Sequence, residues 1–193
     1  MTSDPQYWDT CLFIRYLMDD PQDEKERQQL ENIKPLFVAA TKGDILVVVS
    51  TLVLAELRPR DPFNQEHLDE IDDLFYRARS NIRVVALHPV IARRASQLGS
   101  QNKKLTSPDA VHLATALTEG VSVFYSFDGD ADNERRRSGK LLAYSLQFGE
   151  PKLRIEAPPL PPPPAPPGPA QLKANFGEAD LGGTLPGLQQ EPR

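Results

Sequence analysis

Ser107-Pro-Asp-Ala-Val-His-Leu-Ala-Thr-Ala-Leu-Thr-Glu-Gly120 runs directly into Val121-Ser-Val-Phe-Tyr-Ser126. The first segment reads as a helix: Ser107 can cap it, Pro108 suits its first position and Gly120 can end it. Its apolar residues Ala110, Val111, Leu113, Ala114, Ala116 and Leu117 surround most of the cylinder, so both sides must be covered. The second segment is short and rich in β-branched and aromatic residues, as expected of a strand. A buried helix feeding a strand is half of a βαβ unit, and the rest of the chain repeats it.

Asp44–Val49 is a nearly unbroken β-branched run, the pattern of a strand buried on both faces. Ile82–Leu87 is a further strand candidate, with Gln6–Asp9 and Leu153–Ile155 as short first and last strands. Helical patterns lie between them at Cys11–Leu17, Glu24–Thr41, Ser50–Leu57, Gln65–Ala78, Pro89–Leu98 and Pro108–Glu119. Strands alternating with helices predict a three-layer α/β/α sandwich around a central parallel sheet. In such sheets the functional crevice lies beyond the carboxyl ends of the strands.

Composition limits where that fold stops. Of 19 prolines in 193 residues, nine lie between Pro158 and Pro169, where fixed φ angles and missing amide donors exclude helix and sheet interior. The expected organisation is one domain over residues 1–155 and an extended, proline-rich tail over 156–193. The domain carries a net charge of −3, which argues against a broad basic surface for non-specific nucleic-acid binding. A single cysteine, Cys11, excludes an intramolecular disulfide and a multi-cysteine metal site. No window is apolar for long enough to span a membrane, so the expectation is a soluble, cytoplasmic protein.

Four acids sit where strands end or helices begin: Asp9, Glu56, Asp109 and Asp128. Singly, Asp109 could serve the positive end of its helix, and Asp9 and Asp128 could be turn or cap residues. Glu56, amid Leu52, Val53, Leu54, Ala55 and Leu57, is costly unless paired. Together, the topology would bring the four into one crevice, where like charges protonate unless a cation neutralises them. Oxygen donors select a hard ion, Mg²⁺ or Mn²⁺. Such an ion suits water activation and in-line phosphoryl displacement, so the residues read as a metal-dependent phosphodiesterase.

Tyr7-Trp-Asp-Thr-Cys-Leu-Phe13, Ser50-Thr-Leu-Val-Leu-Ala-Glu-Leu57, Ser107-Pro-Asp-Ala-Val-His-Leu-Ala-Thr-Ala-Leu117 and Ser126-Phe-Asp128 occur in that order. The ordered set resembles the PIN domain, and within it the VapC-type toxins of type II toxin–antitoxin systems, from about Tyr7 to Ile155. The resemblance implies a Mg²⁺-dependent endoribonuclease with Asp9, Glu56, Asp109 and Asp128 as its acidic quartet. It implies that Asp9 and Asp109, with Asp128, hold the metal, and that Glu56 and Asp128 orient the attacking water. Thr10 and Ser126 match hydroxyl positions that would brace carboxylates or water, with ordinary capping as the alternative. Asp128 keeps the Ser-x-Asp spacing, and Asp130 is the second choice for the fourth acid. An RNA substrate, a homodimer and a cognate antitoxin protein are implied as partners.

Two other readings stay open: an RNA-processing or decay nuclease with no toxin role, and a non-catalytic interaction module whose proline tail docks in aromatic grooves. A calcium loop after residue 127 is excluded, since Asn133 and Gly139 stand where the motif needs glycine and glutamate. His112 is expected to pack in its helix, and Cys11 and Trp8 to fill the core. Lys103-Lys104 and Arg135-Arg-Arg137 are candidates for a local positive rim, with Arg58, Arg60, Arg93 and Arg94 undecided.

Overall fold

The computed structural model describes residues 4–57, 64–76, 81–129, 141 and 153–160. Asp130, Asp132, Arg58, Arg60, Arg135–Arg137, the end of the helix expected over Gln65–Ala78 and the tail from residue 161 lie outside them.

Five strands form one parallel sheet: β1 (Gln6–Trp8), β2 (Val47–Ser50), β3 (Ile82–Val85), β4 (Val123–Tyr125) and β5 (Arg154–Glu156). Their spatial order is β3-β2-β1-β4-β5. Gln6 sits level with both Val47 and Val123, Val47 with Ile82, and Val123 with Arg154. The chain builds outward from β1 through β2 to β3, then returns to β1's other edge for β4 and β5. The strand order therefore reverses beside β1, which makes the β1–β4 carboxyl ends the switch point.

Helices cover both faces. In chain order they are α1 (Thr10–Met18), α2 (Glu24–Lys42), α3 (Thr51–Glu56), α4 (Gln65–Phe75), α5 (Pro89–Gln101) and α6 (Ser107–Thr118). Strand side chains alternate between faces, and the two cores follow that alternation. Tyr7, Val48 and Phe124 pack with Ile91, Ala95 and Leu98 of α5 and Ala110, Leu113 and Ala114 of α6. Trp8, Val47, Val49 and Val123 pack with Leu12 and Phe13 of α1, Leu30, Ile33 and Phe37 of α2, and Ile71 of α4. The three-layer α/β/α sandwich with a parallel sheet is thus the observed fold.

The second core is aromatic. Phe37 lies 4.8 Å from Trp8, 5.5 Å from Phe13 and 3.8 Å from Tyr16, measured between ring centres. Trp8 is fully buried, as expected from the sequence. Such rings contribute through both area and edge or stacking geometry.

Several boundaries differ from the sequence reading for local reasons. Strand β2 starts at Val47 and not at Asp44, because Gly43 ends α2 in the left-handed region (φ 80°) and the Asp44 N–H still bonds Ala39 O. Helix α6 is capped by Thr106, one residue before the expected Ser107. The Thr106 hydroxyl and the Asp109 carboxylate form a reciprocal capping box, which places Ser107 and Pro108 inside the first turn. Gly120 follows the helix with φ 68°, the conformation that ends it at low cost.

Candidate functional site at the carboxyl edge of the sheet

The residues that leave β1, β2 and β4 each begin with a polar cap. Asp9 caps α1, Ser50 caps α3 and Ser126 starts the turn after β4. Asp9 is 8% exposed and heavily bonded. Its Oδ1 accepts the Thr10 N–H at 2.7 Å, and its Oδ2 accepts the Ser126 hydroxyl at 2.7 Å and the Cys11 thiol at 3.4 Å. Ser126, fully buried, also accepts the Asp128 N–H at 3.0 Å. One hydroxyl thus ties the carboxylate after β1 to the backbone of Asp128 after β4.

Glu56 ends α3, and its Oε2 accepts both the Thr10 hydroxyl and the His112 Nε2–H, the latter at 3.2 Å. Thr10 therefore reaches a carboxylate through its hydroxyl. Asp109, in the first turn of α6, accepts the Thr106 hydroxyl at 2.5 Å through Oδ2. Burial pushes the Asp109 carboxyl above its usual range; the Thr106 bond opposes this and the negative charge of Asp9 adds to it. Asp9 and Asp109 are close enough to repel each other.

His112 packs in its helix, as expected, and also finds polar partners there. It is 1% exposed, and its Nδ1 lies 2.7 Å from the Tyr7 hydroxyl. Burial works against its protonation, but the bond to Glu56 and the charges of Asp9, Glu56 and Asp109 outweigh it and raise the imidazole. The available signal was its position: a histidine one turn after Asp109 on a helix buried all round must find polar partners. Cys11 is half-buried and bonded to Asp9, with its thiol pushed well above the usual range by burial and then by the Asp9 charge.

Asp9, Glu56 and Asp109 are each held by their own donors, and Asp128 is joined to Ser126 through its backbone N–H. Among the described residues, no three His, Cys, Asp or Glu side chains stand close enough to make a metal cage. The donor set nevertheless fits a hard divalent ion. It is carboxylate oxygen throughout, and a cation would offset both the burial that raises Asp109 and the smaller repulsion from Asp9. Lys103, Lys104 and Arg93 are exposed and Arg94 is half-buried, reaching the Thr118 hydroxyl at 3.5 Å at the end of α6 opposite Asp109. No helix among the described residues is long and apolar enough to cross a membrane.

No curated protein sequence matches the chain. Among solved structures it is similar to Mycobacterium tuberculosis VapC20, a Sarcin-Ricin loop cleaving toxin, with 19% identity and a TM-score of 0.48; the match covers 65% of this chain and 91% of that one. It is also similar to VapBC2 from Rickettsia felis bound to a DNA fragment from their promoter, with 14% identity, a TM-score of 0.44 and coverage of 79% and 98%. The PIN domain model matches residues 7–135, more than half of the chain and the span that carries all four acids. The chain belongs to the PIN domain family.

Proposed function

We propose that this PIN domain is a metal-dependent endoribonuclease and the toxin of a type II toxin–antitoxin pair. The observation that carries the nuclease reading is the tie between Asp9 and the β4 turn through Ser126, with Asp109 near enough to feel the Asp9 charge. That arrangement gathers acids from three separate chain segments at the switch point of a parallel sheet, where ligands of such folds bind.

Asp9, Asp109 and Asp128 are the residues to hold Mg²⁺, or Mn²⁺ in its place; Asp130 is the second choice for the fourth acid. A bound ion supplies charge for phosphodiester oxygens and makes a coordinated water more acidic. The chain's own groups do the rest. The Thr10 N–H and the Ser126 hydroxyl fix the Asp9 carboxylate, so that little reorganisation is needed when substrate arrives. Glu56, held by Thr10 and His112, orients the attacking water and receives its proton. The Asp128 N–H, held by Ser126, fixes the backbone that carries the fourth acid.

The substrate in this reading is RNA, cut in single-stranded or loop regions. Exposed Lys103 and Lys104 offer phosphate contacts that the acidic net charge does not. The ordered sequence blocks support a homodimer, a cognate antitoxin chain that covers the acidic edge, and action in the cytoplasm. The proline-rich segment that follows β5 takes no part in this chemistry. The test is cleavage of RNA by purified protein with Mg²⁺, set beside Asp9→Ala and Asp109→Ala. Growth arrest on expression, relieved by a small protein encoded next to it, distinguishes a toxin from an RNA-processing enzyme.

A further inference from the structure

The buried polar groups behind Glu56 form a continuous chain. The Ser50 N–H donates to the Tyr7 hydroxyl at 3.0 Å, the Tyr7 hydroxyl meets His112 Nδ1 at 2.7 Å, and His112 Nε2 meets Glu56 Oε2 at 3.2 Å. Ser50 and Tyr7 are fully buried and His112 nearly so. The chain crosses three elements: the end of β2, the middle of β1 and the second turn of α6. It reaches the acid that closes α3.

An ionised carboxylate can only accept, so the proton between His112 and Glu56 sits on Nε2. A neutral ring then has Nδ1 as acceptor, and Tyr7 is the donor that satisfies it. The Tyr7 oxygen in turn accepts Ser50 N–H, which fixes the direction of its own O–H. In the imidazolium form Nε2–H still points at Glu56. The direction toward Glu56 is therefore the same in both charge states, under the combined field of Asp9, Glu56 and Asp109.

We infer that Tyr7 and His112 are positioning residues for Glu56: they hold the ring so that Nε2–H clamps one oxygen of the carboxylate while Thr10 clamps the same oxygen from α1. This rests on the nuclease reading, since it assigns what the two residues do for that site. Any buried histidine needs partners for both ring nitrogens; what marks His112 is that one of its partners is the carboxylate that Thr10 also holds. Outer partners of this kind change turnover because they set orientation, and their loss costs on the order of 10–100-fold.

The test has two arms. In metal-free wild-type protein, ¹⁵N NMR of the ring is expected to show a protonated Nε2 in His112; a neutral ring with the proton on Nδ1 overturns the inference. In RNA cleavage with Mg²⁺, Tyr7→Phe is expected to lower kcat on the order of 10-fold with KM unchanged. His112→Ala should lose on the order of 100-fold, and His112→Gln, whose amide N–H can still reach Glu56, should recover part of it. Wild-type kcat in Tyr7→Phe, or no recovery in a folded His112→Gln, overturns it. The spectrum and Tyr7→Phe carry the test if His112→Ala does not fold. Cleavage that survives in Asp9→Ala removes the nuclease reading instead, and leaves the His112 spectrum standing.

Discussion

Replacing Ser126 with alanine removes one oxygen that joins the two halves of the site. The side chain is fully buried, donates to Asp9 Oδ2 at 2.7 Å and accepts the Asp128 N–H at 3.0 Å. A hydrogen bond to a charged group contributes about 1.5–3 kcal/mol, and a neutral one about 0.5–1.5 kcal/mol. Asp9 keeps the Thr10 N–H and the weaker Cys11 thiol, so the loss falls short of both maxima, at roughly 2–4 kcal/mol. For a domain of this size each kcal/mol moves Tm by about 2–4 °C, so Ser126→Ala should melt roughly 5–15 °C below wild type. Circular dichroism melts in chelator measure the fold alone, and RNA cleavage at a temperature well below both midpoints measures the site. Activity should fall further than the folded fraction does. A Tm within 1 °C of wild type, with unchanged cleavage, would refute the bracing role of Ser126.

Four further outcomes are expected. The folded-state carboxyl of Asp109 is raised, so in metal-free protein its contribution falls as pH rises from the ordinary carboxylate range through that higher value. Asp109→Asn keeps the acceptor for Thr106 and removes the charge; it should therefore melt above wild type in chelator at pH 7 and gain less from added Mg²⁺. Replacing Lys103 and Lys104 with alanine should weaken RNA binding for all sequences alike and reduce the salt slope by about 1–2, as measured by fluorescence anisotropy. The Cys11 thiol, raised by burial and the Asp9 charge, should react slowly with iodoacetamide at pH 8 in the native state and quickly in denaturant. Phe37→Ala, at the centre of the aromatic core, should cost about 3–5 kcal/mol in urea unfolding.

The layers of the fold were legible because period and burial agree. The Val47–Val49 run reads as a two-sided strand, and Val48 does face one core while Val47 and Val49 face the other. Helix α6 reads as buried on all sides because it is. What eluded the sequence was decided by side-chain contacts between distant segments. Ser107 and Thr106 are equally good caps on paper, and only the reciprocal bond with Asp109 chooses between them. His112 looked like packing because its partners, Tyr7 and Glu56, lie 105 and 56 residues away in the chain.

The same distinction holds for the acids. Asp9 follows β1, Glu56 closes α3, Asp109 opens α6 and Asp128 follows β4, positions along the chain that could be read in advance. Their actual bonding could not, since it depends on Thr10, Ser126 and Thr106 choosing particular oxygens. Asp109 in particular is a cap whose carboxyl is raised, first by burial.

The most direct test of the central claim is RNA cleavage mapping with wild-type and Asp9→Ala protein, each with Mg²⁺ and with chelator. Discrete cuts by wild type with Mg²⁺, abolished both by chelator and by Asp9→Ala in a protein that still melts cooperatively, are predicted. The same cuts from Asp9→Ala, or from wild type in chelator, would contradict a metal-dependent nuclease built on this acidic edge.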